Sequence, residues 1–488
     1  MTVPAAALRR WPGPKVHVRS VIAASALAVL AAGLPLADAD HRAALYPMLA
    51  GAVIVTALIV RVCNRDGRVP VLDIGAFAVL ITSLYTTVPL INYAAGGFTW
   101  RSLSDSRLQF WGGTPDEIGG FAWRGIVYLL ALAVAYGALR RPTPQALPRP
   151  DTPRRLLPIV LGALLAATVA LSAIETRYGL THGSSYAQLD VQEEARAAAP
   201  LAVQQVVHNL VGVVFLFKVA LLLLLMERWS QLPWRAVLIV WLVVETVTGV
   251  SQLGSRTEVV QLWLAAVFAY HRMVRPLTLK VAAACGGALL VAAVGYGLAR
   301  DAAYARPGVD SRRPVPVAAA TNEFQALFAT GYDLYRRQLD GSLEVPPALR
   351  FRELYQLVPS QLLPFYKWDA GEWYVTLIDE QGKGTGYLFG VVSQAVIGWG
   401  WLELVARGAA LGALCAVLQR WYIRRARNWW VTLSYVFLCL WIYYAFRDIT
   451  LAPLYFVVYR LLPGILILRA AVALPPRVTS ALSRPIQT

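Results

Sequence analysis

Three arginines, Arg256, Arg447 and Arg460, stand in or beside apolar runs, where an ionised side chain is costly to keep. A guanidinium stays charged and presents a planar fork of donors that matches phosphate oxygens. Fixed in a setting poor in water, such cations can hold a phosphate or pyrophosphate. They also stabilise the charge that grows on it as it leaves. Glu258 and Asp448 lie close to two of these arginines in the chain, and Glu323 lies in the large polar segment 299–385. A carboxylate within hydrogen-bond reach of an attacking hydroxyl can take its proton. These residue types therefore suit transfer of a group from a phosphate-linked donor to a hydroxyl, with the three carboxylates unranked as the base. For Arg256 the alternative is a side chain that snorkels to the membrane surface.

Such residues need a membrane domain to position them. The chain has 488 residues, of which 57% are hydrophobic and 15% charged. A soluble domain carries about 25% charged residues. About twelve apolar runs, from 20–36 to 449–468, approach the roughly 20 residues a helix needs to cross a bilayer. The chain reads as an all-α polytopic integral membrane protein. About nine spans precede the polar segment, in 1–298, and about three follow it, in 386–488. The net charge of +17 comes from connectors on alternate sides: the N-terminal tail, 61–70, 140–155, 227–235, 271–280, 420–427 and the tail from Arg469. This is the positive-inside pattern, not a nucleic-acid signature. It predicts both termini in the cytoplasm, the polar segment outside, and a mild attraction to anionic lipid. The run 20–36 has the flanks of a signal peptide, but its length and the even parity favour an uncleaved first span. Arginine far exceeds lysine, which suggests a GC-rich bacterial genome and hence a bacterial inner membrane. Cys63, Cys285, Cys415 and Cys439 lack paired spacing, and the five histidines lack ligand spacing. No disulfide framework, metal or cofactor is expected.

Other intramembrane charges have simpler readings. Lys218 and Glu245 fall at similar depth on antiparallel neighbours and predict an ion pair. Glu403 and Arg407 are four apart on one helix face and predict a local pair. The run 259–270 covers only about 18 Å as a helix, less than the hydrocarbon core. Its helix must extend back through Arg256 and Glu258, placing them below the external headgroups in a protein cavity.

The polar segment predicts helices over 318–337 and 349–357. Arg352, Lys367, Trp368 and Trp373 mix rings with charge, as sugar-binding surfaces do; a cap packed on the membrane is the alternative. The apolar stretch 387–397, with Gln394, is too short to span and reads as a re-entrant or surface helix.

The chain resembles the bacterial oligosaccharide repeat-unit polymerases, the O-antigen polymerase (Wzy-type) family. The likeness rests on Gly254-Ser255-Arg256, on Asn322-Glu323-Phe324, on Val358-Pro359 through Pro364 with Lys367, and on Gly384 through Gly400; Arg447 also fits the layout. Ser360 stands where an arginine is expected, with Arg350 or Arg352 as possible replacements, and Gln394 stands where a glutamate is expected. The resemblance implies a GT-C-like membrane fold and a metal-independent, inverting glycosyltransferase. It implies joining of undecaprenyl-pyrophosphate-linked repeat units at the external face, with a flippase and a chain-length regulator as partners. Arg256, Arg447 and Arg460 would bind pyrophosphate, Glu323, Glu258 or Asp448 would act as base, and Arg352, Lys367, Trp368, Trp373 and Gln394 would bind glycan. The competing readings are an O-antigen ligase, another polyprenyl-phosphate-sugar glycosyltransferase using Asp38 and Asp40, and a flippase for the same lipid-linked substrate.

Overall fold

A computed structural model describes residues 42–62, 72–94, 115–141, 147–180, 198–251, 256–275, 322–358, 370–378 and 389–474, with a few isolated positions between them. Before the polar segment 299–385 come α1 (Arg42–Val62), α2 (Ile74–Ala94), α3 (Pro115–Leu139), α4 (Leu156–Tyr178), α5 (Leu201–Glu227), α6 (Leu232–Ser251) and α7 (Arg256–Ala269). A π-helical turn, Tyr270–Val274, ends α7. The polar segment contains α8 (Asn322–Leu339), α9 (Pro347–Arg350), α10 (Arg352–Gln356) and α11 (Ala370–Leu377). After it come α12 (Val391–Ile397), α13 (Trp401–Arg424), α14 (Trp429–Trp441), α15 (Tyr444–Arg447), α16 (Ala452–Phe456), a π-helical turn Val457–Leu461 and α17 (Leu462–Ala473).

Among the described residues, 7 helices are long and apolar enough to cross a membrane, and two shorter apolar helices cover Tyr46–Leu58 and Ile74–Leu90. The predicted runs at 20–36 and, for the most part, 277–298 lie outside the described residues, as do Asp38 and Asp40.

The tightest seam joins α3 to α13. Gly408 and Gly412 sit four apart on one face of α13. A Cβ at either position would come 2.5 Å from a backbone carbonyl oxygen of α3, that of Tyr128 or Leu132. Small residues at this spacing let two backbones touch where lipid supplies no hydrophobic drive for association. The centre is filled by α5 and α14, buried along most of their length, with Phe215 against Phe437 and Trp441. In contrast, α4 and α6 carry exposed apolar side chains such as Leu165, Val240 and Val247, as lipid-facing helices do.

The two ends of the bundle differ in chemistry. At one end the basic connectors meet. Arg272, on the first π turn, donates to the carbonyls of Pro148 (2.5 Å) and Ala426 (2.7 Å). The amide of Asp151 donates to the carbonyl of Arg427 (2.6 Å). Just inside lies a buried polar cluster. Asp73 caps α2 through the amide of Ala76 (3.0 Å), pairs with Arg140 (3.1 Å) and accepts from the Tyr136 hydroxyl. Tyr435 accepts from the amide of Ile74 (2.9 Å) and donates to Gln419.

At the other end the polar segment lies on the bundle. Helix α8 turns Phe324 and Phe328 onto Tyr85 and Phe121, the i, i+4 face of an amphipathic helix. Leu349, Trp373 and Tyr374 join them over Met48, Leu90 and Ile118, which mark the ends of α1, α2 and α3. Arg124 stacks on Tyr335 (4.1 Å) and Trp401 (4.6 Å), fastening α3, α8 and α13 together. Within the described residues both predicted helices form, the first from Asn322 to Leu339 and the second broken at Phe351 into α9 and α10. Basic connectors at one end and the polar segment at the other match the alternation read from the charges.

Asp333 shows how closely that segment packs. It accepts from Arg337 (2.9 Å) and from the Tyr374 hydroxyl (2.9 Å), tying α8 to α11. Burial outweighs these partners and raises its carboxyl above the ordinary value. A raised folded-state value means that the folded form binds the proton more tightly, so this contribution to stability is present at acid pH and is lost as pH rises through the folded value. Asp333→Asn is expected to flatten the acid side of the stability-versus-pH curve of the purified protein, measured by thermal unfolding; an unchanged curve would reject that role.

Candidate functional site

Arg460 is buried, whereas Arg447 is half-buried. Pro453 opens α16, and the π turn that follows re-aims the helix so that Arg460 faces the bundle. π-helical turns recur at functional positions because the inserted residue shifts the side-chain register. Arg460 is 5% exposed. Its guanidinium lies 4.7 Å from the Trp441 ring centre and 4.6 Å from that of Phe456, contacts that favour a desolvated cation. Its Nη2 lies 2.8 Å from His208 Nε2 on α5, and its Nε has no hydrogen-bond partner. Among the described residues no carboxylate comes within ion-pair distance of Arg460, although Glu258 is near enough to act on it electrostatically. Close by, the Tyr455 hydroxyl bonds to Asn209 Oδ1 (3.1 Å).

The other candidate elements converge on this point. Helix α7 begins at Arg256, so the extension predicted from its short apolar run is present, and half-buried Glu258 lies on its first turn. The side chain of Arg256 lies outside the described residues. Arg447 stands over the Tyr444 ring at 5.3 Å, and Tyr444 packs on Phe456 at 5.0 Å. A short aromatic path thus links Arg447 to Arg460.

Next to this path the polar segment is clasped to the helical bundle by charge. Arg352 pairs with Asp448 at 2.8 Å. Glu353 accepts from the amide of Thr450 (2.7 Å) and pairs with Arg407. Arg407 also pairs with Glu403, as its spacing predicts, and Glu403 accepts from the amide of Trp399 (2.7 Å). The Tyr459 hydroxyl donates to the carbonyl of Leu357 (2.9 Å). Helix α10 therefore lies across the very short connection that carries Arg447 and Asp448.

Three expected glycan contacts are corrected. Gln394 is 0% exposed and donates to the carbonyl of Leu349 at 2.8 Å. Trp373 is 4% exposed and packs against Phe389. Arg352, also 4% exposed, is turned onto Asp448. These side chains hold the segment together and offer no surface to a sugar. Lys367 and Trp368 lie outside the described residues, as does the side chain of Glu323, whose backbone is in the first turn of α8. The predicted Lys218–Glu245 pair forms, at 2.5 Å. It joins α5 to α6, and the structural reading suffices for it.

Sequence reasoning missed three members of this region: His208, Gly212 and Glu353. His208 and Gly212 are four apart on α5, so they share a face; that spacing was the available signal. Nothing in the sequence links Glu353 to Arg407 or Thr450. Compared with protein-family models, curated proteins and solved structures, the chain matches none.

Proposed function

We propose that this protein polymerises undecaprenyl-pyrophosphate-linked oligosaccharide repeat units into a surface polysaccharide at the external face of a bacterial inner membrane. In this reading it is a GT-C-like enzyme of about twelve spans, with both termini in the cytoplasm. The observation that carries it is the convergence of the start of α7, the Tyr444–Arg447 turn and Arg460 beneath a fastened external segment. A buried cation with no paired carboxylate among the described residues suits an anion arriving from outside, and one attached to a lipid can reach it at membrane depth.

The chemistry follows from the leaving group. A hydroxyl of the acceptor repeat attacks the anomeric carbon of the growing glycan from the face opposite the pyrophosphate. A new C–O bond forms as the C–O bond to pyrophosphate breaks, and the configuration inverts. The electron pair departs with the pyrophosphate, where Arg460, Arg447 and Arg256 stabilise it. The hydroxyl proton passes to a carboxylate. Glu258 lies on the first turn of α7 near Arg460, and Asp448 follows Arg447 directly; Glu323 remains the third candidate.

Arg256→Ala tests the reading. Polymer is expected to disappear while single-repeat lipid-linked units persist, exposed on the external side. Normal-length glycan in that strain would reject the assignment. Repeats trapped in the cytoplasmic leaflet would identify a flippase instead, and loss of glycan transfer onto lipid A–core with polymer intact would identify a ligase.

A further inference from the structure

Helix α5 meets the last helix along a ridge of residues four apart. Gly464 approaches α5 at Leu216, and Arg460 approaches it at Gly212. A Cβ at Gly212 would lie 2.1 Å from Arg460 Cδ, so only glycine leaves room for the arginine stem. One turn earlier on the same face, His208 meets the guanidinium at 2.8 Å. One face of α5 thus seats both the stem and the head of Arg460.

The direction of the hydrogen bond is fixed by the arginine. A guanidinium has donors and no acceptor, so His208 Nε2 accepts with its lone pair. His208 is therefore neutral in this arrangement, with its proton on Nδ1. The Trp441 and Phe456 rings attract the guanidinium through their π faces, but such contacts define its orientation loosely compared with a directional hydrogen bond. His208 is itself exposed, whereas Arg460 is buried.

We infer that His208 is a positioning residue, aiming the Arg460 guanidinium at the pyrophosphate through the Nε2 bond. The inference rests on the reading that Arg460 holds the leaving group. A misaimed arginine still attracts the anion of the bound substrate but stabilises less of the charge that develops as the bond breaks. Its loss is read in kcat, with KM little changed.

The test uses the full chain in nanodiscs and lipid-linked repeat units extracted from a strain lacking the protein. His208→Ala and His208→Gln are compared with Arg460→Ala, each on folded, monodisperse protein of measured thermal stability. His208→Ala is expected to lower kcat about tenfold with KM within about twofold. Glutamine, whose side-chain oxygen can accept in place of Nε2, is expected to restore most of the rate. Gly212→Ala, which crowds the stem, should reproduce the kcat loss with His208 intact. Wild-type kcat in His208→Ala, a glutamine variant as slow as the alanine one, or a change confined to KM would each overturn the role of His208 while leaving Arg460 in place. Full activity in Arg460→Ala would instead reject the reading of the site, and this inference with it.

Discussion

Arg460→Ala is expected to reduce glycosyl transfer about 100- to 1,000-fold, the size of losing one preorganised donor to a developing oxyanion. The protein should still accumulate in the membrane. Among the described residues Arg460 has no ion-paired carboxylate to orphan, and its removal relieves the desolvation of a buried charge. Lysine should recover only part of the rate, because an ammonium cannot reproduce the planar fork. Glycan chain length on gels, scored against membrane levels of the protein, separates these outcomes. Normal-length polymer in the alanine variant would mean that the chemistry occurs elsewhere.

The second large effect lies at the opposite end and concerns stability. Asp73→Ala removes the carboxylate that pairs with Arg140, and the two side chains are 0% and 6% exposed. Breaking one partner out of a buried pair costs about 3–5 kcal/mol, because the remaining charge loses its counter-ion. The cap on α2 and the acceptor for the Tyr136 hydroxyl go with it. The expected result is a markedly lower unfolding midpoint in detergent for Asp73→Ala, with a smaller drop for Asp73→Asn, which keeps a capping oxygen. An unchanged midpoint would show that Arg140 finds another partner.

The sequence reveals what periodicity, charge and chain direction control. The Lys218–Glu245 pair could be anticipated because adjacent antiparallel helices place those residues at one depth. The start of α7 could be anticipated because 259–270 is too short to cross alone. Contacts between distant elements are a different matter. Glu353 reaches Thr450 and Arg407 only through the docking of α10, and no local pattern encodes that meeting. Trp373 reads as part of a sugar-binding set because rings look alike whether they face water or a core. At Gln394, where the resemblance expects a glutamate, the amide has a packing reason. The position donates to the Leu349 carbonyl, which an ionised glutamate cannot do.

The Gly408–Gly412 seam has one more consequence. It joins α13, which follows the polar segment, to α3, which precedes it, and it does so by close backbone approach over about one turn. These two helices are thus matched by the fit of their surfaces as well as by the strand of chain between them. Cutting the chain at the exposed turn at Gly341 is expected to leave α3 and α13 in register. That turn is a natural place to insert a tag or a cleavage site, reporting which side of the membrane it faces.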